Sequence, residues 1–470
     1  MAKTQVAVIG AGTGGYSAAF RAADLGLQVT LIDRGPTLGG VCLNRGCIPS
    51  KALLHVAALL NEAREAEGWG VTFGEPKIDV TKLNEWKKSV VGKMTGGLAE
   101  LVKRRKITYQ QGSAKFVSST ALTVEKAGGG TETLEFEHAV LATGSRPTVI
   151  PSLQTKSNRV VDSTGALELT DIPKSMLVVG GGYIGLELGT VYDALSTRVS
   201  VVEMMPGLLP GVDRDLVSYL ARRLQGRFEK IMLETTVVSL EETKAGVRAK
   251  FKGKDGDSEA EYEKVLIAVG RRPNTQNLGL ETTKVQVNER GFVVVDEQRR
   301  TAEGTIFAVG DIAGEPMLAH KAVHEGIVAA EVISGQKVAF EPHAIPAVVF
   351  TDPEIAWCGL TQTQAEKERR TVKVAKFPWG ASGRATTLGR NDGMTKLLVD
   401  PETERVLGVG IVGAGAGELI AEGALAVEMA ALASDLRLTI HPHPTLSETI
   451  MEAAETFFGQ SLHVYAAKRS

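Results

Sequence analysis

A strand, a glycine-rich turn, a helix and a second strand ending in an acid occur twice in this chain, 170 residues apart. No other feature restricts the fold as much. In the first copy the apolar run Gln5–Ile9 enters Gly10-Ala11-Gly12-Thr13-Gly14-Gly15, an alanine-rich helix is expected over Tyr16–Leu25, and the strand Gln28–Ile32 ends at Asp33. In the second, Ser175–Val179 enters Gly180-Gly181-Gly182-Tyr183-Ile184-Gly185, a helix is expected over Leu186–Leu195, and the strand Arg198–Val202 ends at Glu203. Each acid stands 23 positions after the first glycine of its unit. One such turn alone is only a glycine-rich loop. Framed by strand, helix and acid, its first glycines permit a tight turn and the approach of backbone N–H groups to a pyrophosphate. The last glycine lets the helix pack on the sheet, and the acid accepts from ribose hydroxyls. Two dinucleotide sites follow, and with them an α/β fold containing two Rossmann-like domains.

The second acid also bears on cofactor choice. Glu203 suits a free 2′-hydroxyl and repels a 2′-phosphate, and the following Met204-Met205-Pro206 offers no arginine to receive one. NAD is therefore expected rather than NADP.

With 470 residues the chain has room for about three domains. Its 52 glycines exceed the roughly 33 that average usage gives, as nucleotide-binding turns require. The net charge of −2 provides no electrostatic footprint for nucleic acid or anionic lipid. No apolar run reaches the ~18 residues of a spanning helix. The longest candidate, Val406–Ala433, is interrupted by Glu418, Glu422 and Glu428 and reads as a packed helix. The first residues run directly into a strand, without space for a leader, so a cytoplasmic protein without membrane insertion is expected.

Between the repeats lie a charged helix, Asp79–Lys106, and a β-rich segment with a turn at Gly128-Gly129-Gly130. Beyond them, strands are expected at Val293–Asp296 and Thr305–Gly310. Pro342, Pro346 and Pro353 then mark the start of a final mixed region. The expected domains are 1–148, 149–272, 273–345 and 346–470.

Three cysteines, Cys42, Cys47 and Cys358, are too few for a secreted disulfide framework. Cys42 and Cys47 lie five apart in Gly39-Gly40-Val41-Cys42-Leu43-Asn44-Arg45-Gly46-Cys47-Ile48-Pro49-Ser50-Lys51. On an ideal helix that spacing separates them by about 140°. They can bond only across a break, which Gly46 and Pro49 supply before a helix over Ala52–Ala63. Cys47 would then sit near the positive end of that helix, where a thiolate is stabilised. A redox pair is favoured. A metal pair and two buried thiols are the competing readings, and metal is disfavoured because no second cysteine pair completes a four-ligand site. Cys358 reads as a small buried residue.

In His441-Pro442-His443-Pro444-Thr445-Leu446-Ser447-Glu448, Thr445 and Glu448 fit a capping box opening a helix at Leu446. His443 precedes it in a turn, a suitable place for a general base.

Together these segments resemble the pyridine nucleotide-disulfide oxidoreductases over essentially the whole chain. The resemblance is greatest to members that oxidise dihydrolipoyl groups carried on proteins. It implies FAD at the first turn (Gly10, Gly12, Gly14, Gly15, Asp33) and NAD at the second (Gly180, Gly182, Gly185, Glu203, Gly270). Thr143, Gly144 and Ser145 resemble the crossing between the two domains, and Gly310-Asp311 the second flavin motif, followed by Ala319 and His320. The other histidines outside the 441–448 segment read as structural.

The implied chemistry is a base, His443, oriented by Glu448, with Cys42 attacked by substrate sulfur and Cys47 facing the flavin. Lys51 and Glu187 would form an ion pair beside it. The resemblance further implies a C-terminal α+β dimerisation domain and a homodimer with composite active sites. Its implied partners are lipoyl-bearing proteins and the core of a 2-oxoacid dehydrogenase complex. No metal is implied. Asp33, where glutamate is commoner, and Arg45, where a small apolar residue is usual, depart from the pattern. Reduction of glutathione, mercuric ion or thioredoxin is disfavoured by Glu203 and by the absence of cysteine from Ala466–Ser470. A flavin-bound docking subunit is a further alternative.

Overall fold

The computed structural model describes residues 2–254 and 256–465. The cysteine-free tail at 466–470 lies outside them. The first repeat forms β1 (Ala2–Ile9), α1 (Thr13–Asp24) and β2 (Val29–Asp33). β1 is central: it pairs in parallel with β2 and with Thr131–Leu141, while Ile306–Ala308 adds to the far side of that strand. Val6, Ala7 and Val8 are buried, as expected of a strand covered on both faces. Two turn glycines are dictated by space. A Cβ on Gly10, at φ +105°, would lie 2.2 Å from the Ala142 carbonyl oxygen, and one on Gly15 would lie 1.8 Å from that of Gly10.

Two helices separated by a single residue follow, α2 (Gly40–Arg45) and α3 (Cys47–Glu65). α3 begins at Cys47, five residues before the expected start, because Pro49 occupies its first turn, where a missing N–H costs nothing. Next come α4 (Val80–Arg104), with Asp79 accepting from the Lys82 N–H as its cap, and α5 (Ser163–Glu168). The second repeat gives the strand Ser175–Val179, α6 (Tyr183–Ala194) and the strand Arg198–Val202. These strands pair in parallel with each other, and Ser175–Val179 pairs also with Lys264–Ile267. Ser145–Pro147 and Arg271–Pro273 form an antiparallel ribbon between the two sheets.

The C-terminal region is a five-stranded antiparallel sheet packed against helices Ala416–Glu428 and Glu448–Phe458. The first eight residues of the apolar run read as a helix form a strand here, Val406–Gly413. Its glycines account for the difference: a Cβ on Gly408 would lie 1.9 Å from the Leu360 carbonyl oxygen, while Val409 and Ile411 fill the core. Val293–Asp296 is not a strand, and only Val293 pairs, in an isolated bridge with Val287.

Ion pairs, partly or fully buried, tie the regions together. Arg223 donates to Asp352 at 3.0 Å and also to Glu65 at the end of α3. Lys396, fully buried in the C-terminal sheet, lies 2.7 Å from both Asp213 and Asp215. No helix of the described residues is long and apolar enough to cross a membrane.

Candidate active site

A cleft of about 910 Å3 runs from the first glycine turn past the two cysteines to α6. Gly10, Gly12, Gly14, Asp33, Thr143, Gly144, Ser145, Gly310, Asp311 and Ala319 line it, as do Cys42, Cys47, Lys51 and Glu187. Where Gly12 would carry a Cβ the nearest protein atom is 3.9 Å away, and at Gly182 there is none within 4 Å, so both turns leave room for a ligand against bare backbone. Asp33 accepts from the Ala11 and Gly35 N–H groups at 2.6 Å each, fixing the first turn and keeping lone pairs for a ribose. These residues fit an extended dinucleotide such as FAD. Glu203 repeats the arrangement, accepting from Gly181 at 2.7 Å and from Met205 at 2.8 Å. Gly180, Gly185 and Gly270 do not line the cleft.

Because Gly46 ends α2 with φ −145° and ψ −115°, Cys42 and Cys47 belong to two helices rather than one. Cys47 becomes the first residue of a 19-residue helix, where unpaired N–H groups favour negative charge. The hydrogen bond from Cys42 draws the Cys47 thiol down to about 7, Lys51 helps, and burial and Glu187 oppose the shift. The same bond, together with burial and the neighbouring thiolate, pushes the Cys42 thiol far up. Once the reduced pair has lost one of its two protons, the remaining one therefore resides on Cys42.

Lys51 Nζ lies 2.7 Å from Glu187 Oε2 and 4.4 Å above the Phe350 ring, whose backbone N–H donates to Glu187 Oε1 at 3.0 Å. This pair joins α3, which carries Cys47, to α6 of the second repeat beside the dithiol.

Several contributors gave no sequence signal. Arg271 donates to the Ser145 hydroxyl and carbonyl at 2.8 Å each, and the hydroxyl in turn donates to Asp311. Glu325, fully buried, accepts from the Gly310 N–H at 2.7 Å and is balanced by Arg299 and Lys321 at 2.9 Å each. Tyr183, 42% exposed, lines the cleft from the start of α6.

His320, one position past Ala319, contacts the Pro346 carbonyl oxygen at 2.7 Å through its ring. Cys358 is buried in a core strand with its thiol pushed up to about 12, the behaviour of a packing residue.

His443 is 77% exposed, and its Nδ1 lies 2.9 Å from Glu448 Oε1. Glu448 Oε2 accepts from the Thr445 N–H at 2.7 Å. Burial opposes the charge of Glu448, but that N–H and His443 hold its carboxyl below the usual range. Only half of the capping box forms: the Thr445 hydroxyl bonds the Pro442 carbonyl instead, and the helix begins at Glu448, not Leu446. His441 contacts Glu422 at 2.7 Å, fastening the segment to the helix Ala416–Glu428. His443 does not line the cleft that holds the cysteines of its own chain.

Residues 4–326 match the pyridine nucleotide-disulphide oxidoreductase family, and residues 345–454 match the dimerisation domain of the same family. The chain belongs to this family. Within it, the chain is 50% identical to a dihydrolipoyl dehydrogenase of Vibrio parahaemolyticus over 97% of its own length and 96% of the relative. It is 48% identical to one of Haemophilus influenzae, over 99% of this chain and 97% of that one. Among solved structures it resembles LpdA from Mycobacterium tuberculosis, with TM-score 0.89 and 28% identity over 96% of this chain and 99% of that one.

Proposed function

We propose that this protein is a dihydrolipoyl dehydrogenase, oxidising protein-bound dihydrolipoyl groups and reducing NAD. The observation that carries this reading is the division of labour between the cysteines, a low thiol at Cys47 and a high one at Cys42. A disulfide between them is attacked best at Cys42, because Cys47 is then the leaving thiolate. His443, oriented by Glu448, takes the proton of the first substrate thiol, and that sulfur bonds to Cys42 as the Cys42–Cys47 bond breaks. The second substrate sulfur then attacks the first. Oxidised lipoyl leaves, and the proton of the second thiol remains on Cys42. Bound FAD supplies the two-electron relay from the dithiol to NAD. Lys51 stabilises the Cys47 thiolate, and Glu187 holds Lys51 in place.

Because His443 is exposed and lies outside its own cleft, we read the site as composite, with His443 provided by the second chain of a homodimer through the 345–454 region. A two-fold arrangement offers the same surface twice. We divide the chain into a flavin domain to 148, a nicotinamide domain to 272, a central segment to 345 and the dimerisation domain beyond. The natural electron donors are then lipoyl arms on the core of a multienzyme complex, in the cytoplasm. Turnover of dihydrolipoamide with NAD by the FAD-loaded protein tests the activity, and capture by candidate core subunits tests the partner. A yellow, folded protein without lipoamide turnover would leave a docking subunit instead.

A further inference from the structure

A second cavity, of about 220 Å3, opens on the other side of α2 and shares only Arg45 and Leu167 with the dithiol cleft. Three cations surround it: Arg45 at the end of α2, and Lys87 and Lys88 on α4. Lys87 is buried at 4% exposure, yet its ammonium bonds only neutral oxygens, Asn84 Oδ1 at 2.6 Å and the Leu167 carbonyl. Those bonds satisfy N–H groups but leave the charge uncompensated. Burying a cation without a counter-charge is costly, and surrounding it with two more compounds the cost. Among the described residues, neither Arg45 nor Lys88 has an ion-pair partner, and the one acid at the cavity is the exposed Glu168. Burial lowers the Lys87 ammonium and Lys88 adds to that shift, while Glu168, the one acid at the cavity, opposes it without reversing it. Thr37, Asn44 and Thr95 add polar groups to the wall, and Gly92 leaves it open.

We propose that this cavity binds a compact dianion, whether inorganic phosphate or a short dicarboxylate, between α2 and α4. Three cations against one acid leave a surplus of two charges for the ligand to neutralise. Its seat adjoins the helix that carries Cys42, and it is separate from both dinucleotide turns.

The test is calorimetric titration of the FAD-loaded protein in chloride buffer at constant ionic strength, with NAD saturating so that the anion seat of the second turn is filled. Sodium phosphate and sodium succinate form separate arms, which identify the source of the dianion. Saturable binding of one anion per chain is expected in at least one arm. Arg45→Gln and Lys88→Gln should each weaken it about tenfold, the usual effect of losing a charge-assisted hydrogen bond. Lys82→Gln, elsewhere on α4, should leave it unchanged. Flavin content and melting temperature verify that each variant is folded. The absence of saturable binding in both arms, or binding that survives the Arg45→Gln/Lys88→Gln double variant, overturns the proposal.

Discussion

Lys51 Nζ and Glu187 Oε2 stand 2.7 Å apart, and they act on the Cys47 thiol with opposite sign. Lys51 lowers it and Glu187 raises it, so the two halves of one ion pair are separable by titration. In two-electron-reduced enzyme, the Cys47 thiolate should report as a long-wavelength absorbance that appears as pH rises through about 7. Lys51→Met should move that midpoint up and Glu187→Gln should move it down. Absorbance against pH for the three proteins decides the matter. Shifts of the same sign in both variants would mean the pair matters only as a strut between α3 and α6.

The cysteines themselves should give different spectra. Cys42→Ser leaves Cys47 as a thiolate without a disulfide partner, so the long-wavelength band should be present without reductant. Cys47→Ser should lack the band at every pH. Both should lose lipoamide turnover, and reversed spectra would exchange the assigned roles.

Glu203→Arg removes the acid that we assign to the ribose of NAD and introduces a phosphate receptor. The NADP-to-NAD ratio of kcat/KM should rise by orders of magnitude, about tenfold for each 1.4 kcal/mol. Because Glu203 also accepts from Gly181 and Met205, NAD activity should fall and stability should drop by about 1–3 kcal/mol. Steady-state kinetics with both cofactors and a melting curve check the two effects. An unaltered cofactor ratio would reduce Glu203 to a support for its turn.

Mixing Cys47→Ser with His443→Ala tests the composite site. In a hybrid dimer of that design, one site carries both lesions and the other carries neither. Random exchange makes half the dimers hybrid, so activity should recover to about a quarter of wild type. With chain exchange confirmed independently, no recovery would place His443 within its own chain's site.

The parts of this molecule that were legible in sequence are those whose geometry is local. Gly10 and Gly180 announce turns because backbone oxygens occupy the space a Cβ would need. Cys42 and Cys47 announce a broken helix because Gly46 stands between them. Glu325 and Arg271 were silent, since their partners Gly310 and Ser145 come together only through the fold and a lone glutamate or arginine has no local pattern. Val406–Gly413 misled for a related reason. Its small residues read as helix packing, whereas Leu360 and the neighbouring strands, which demand the glycines, lie elsewhere in the chain.

Lys396 carries a consequence for how the molecule can be taken apart. Its counter-charges, Asp213 and Asp215, belong to the region 4–326, while Lys396 belongs to the C-terminal sheet. A cut near residue 345 would leave a buried ammonium on one fragment and two unanswered carboxylates on the other. Removing one partner of such a pair costs about 3–5 kcal/mol, a large share of the stability of an ordinary domain. The dimerisation region is therefore no detachable module. The monomer should unfold as one cooperative body, and neither fragment should be recoverable alone in native form.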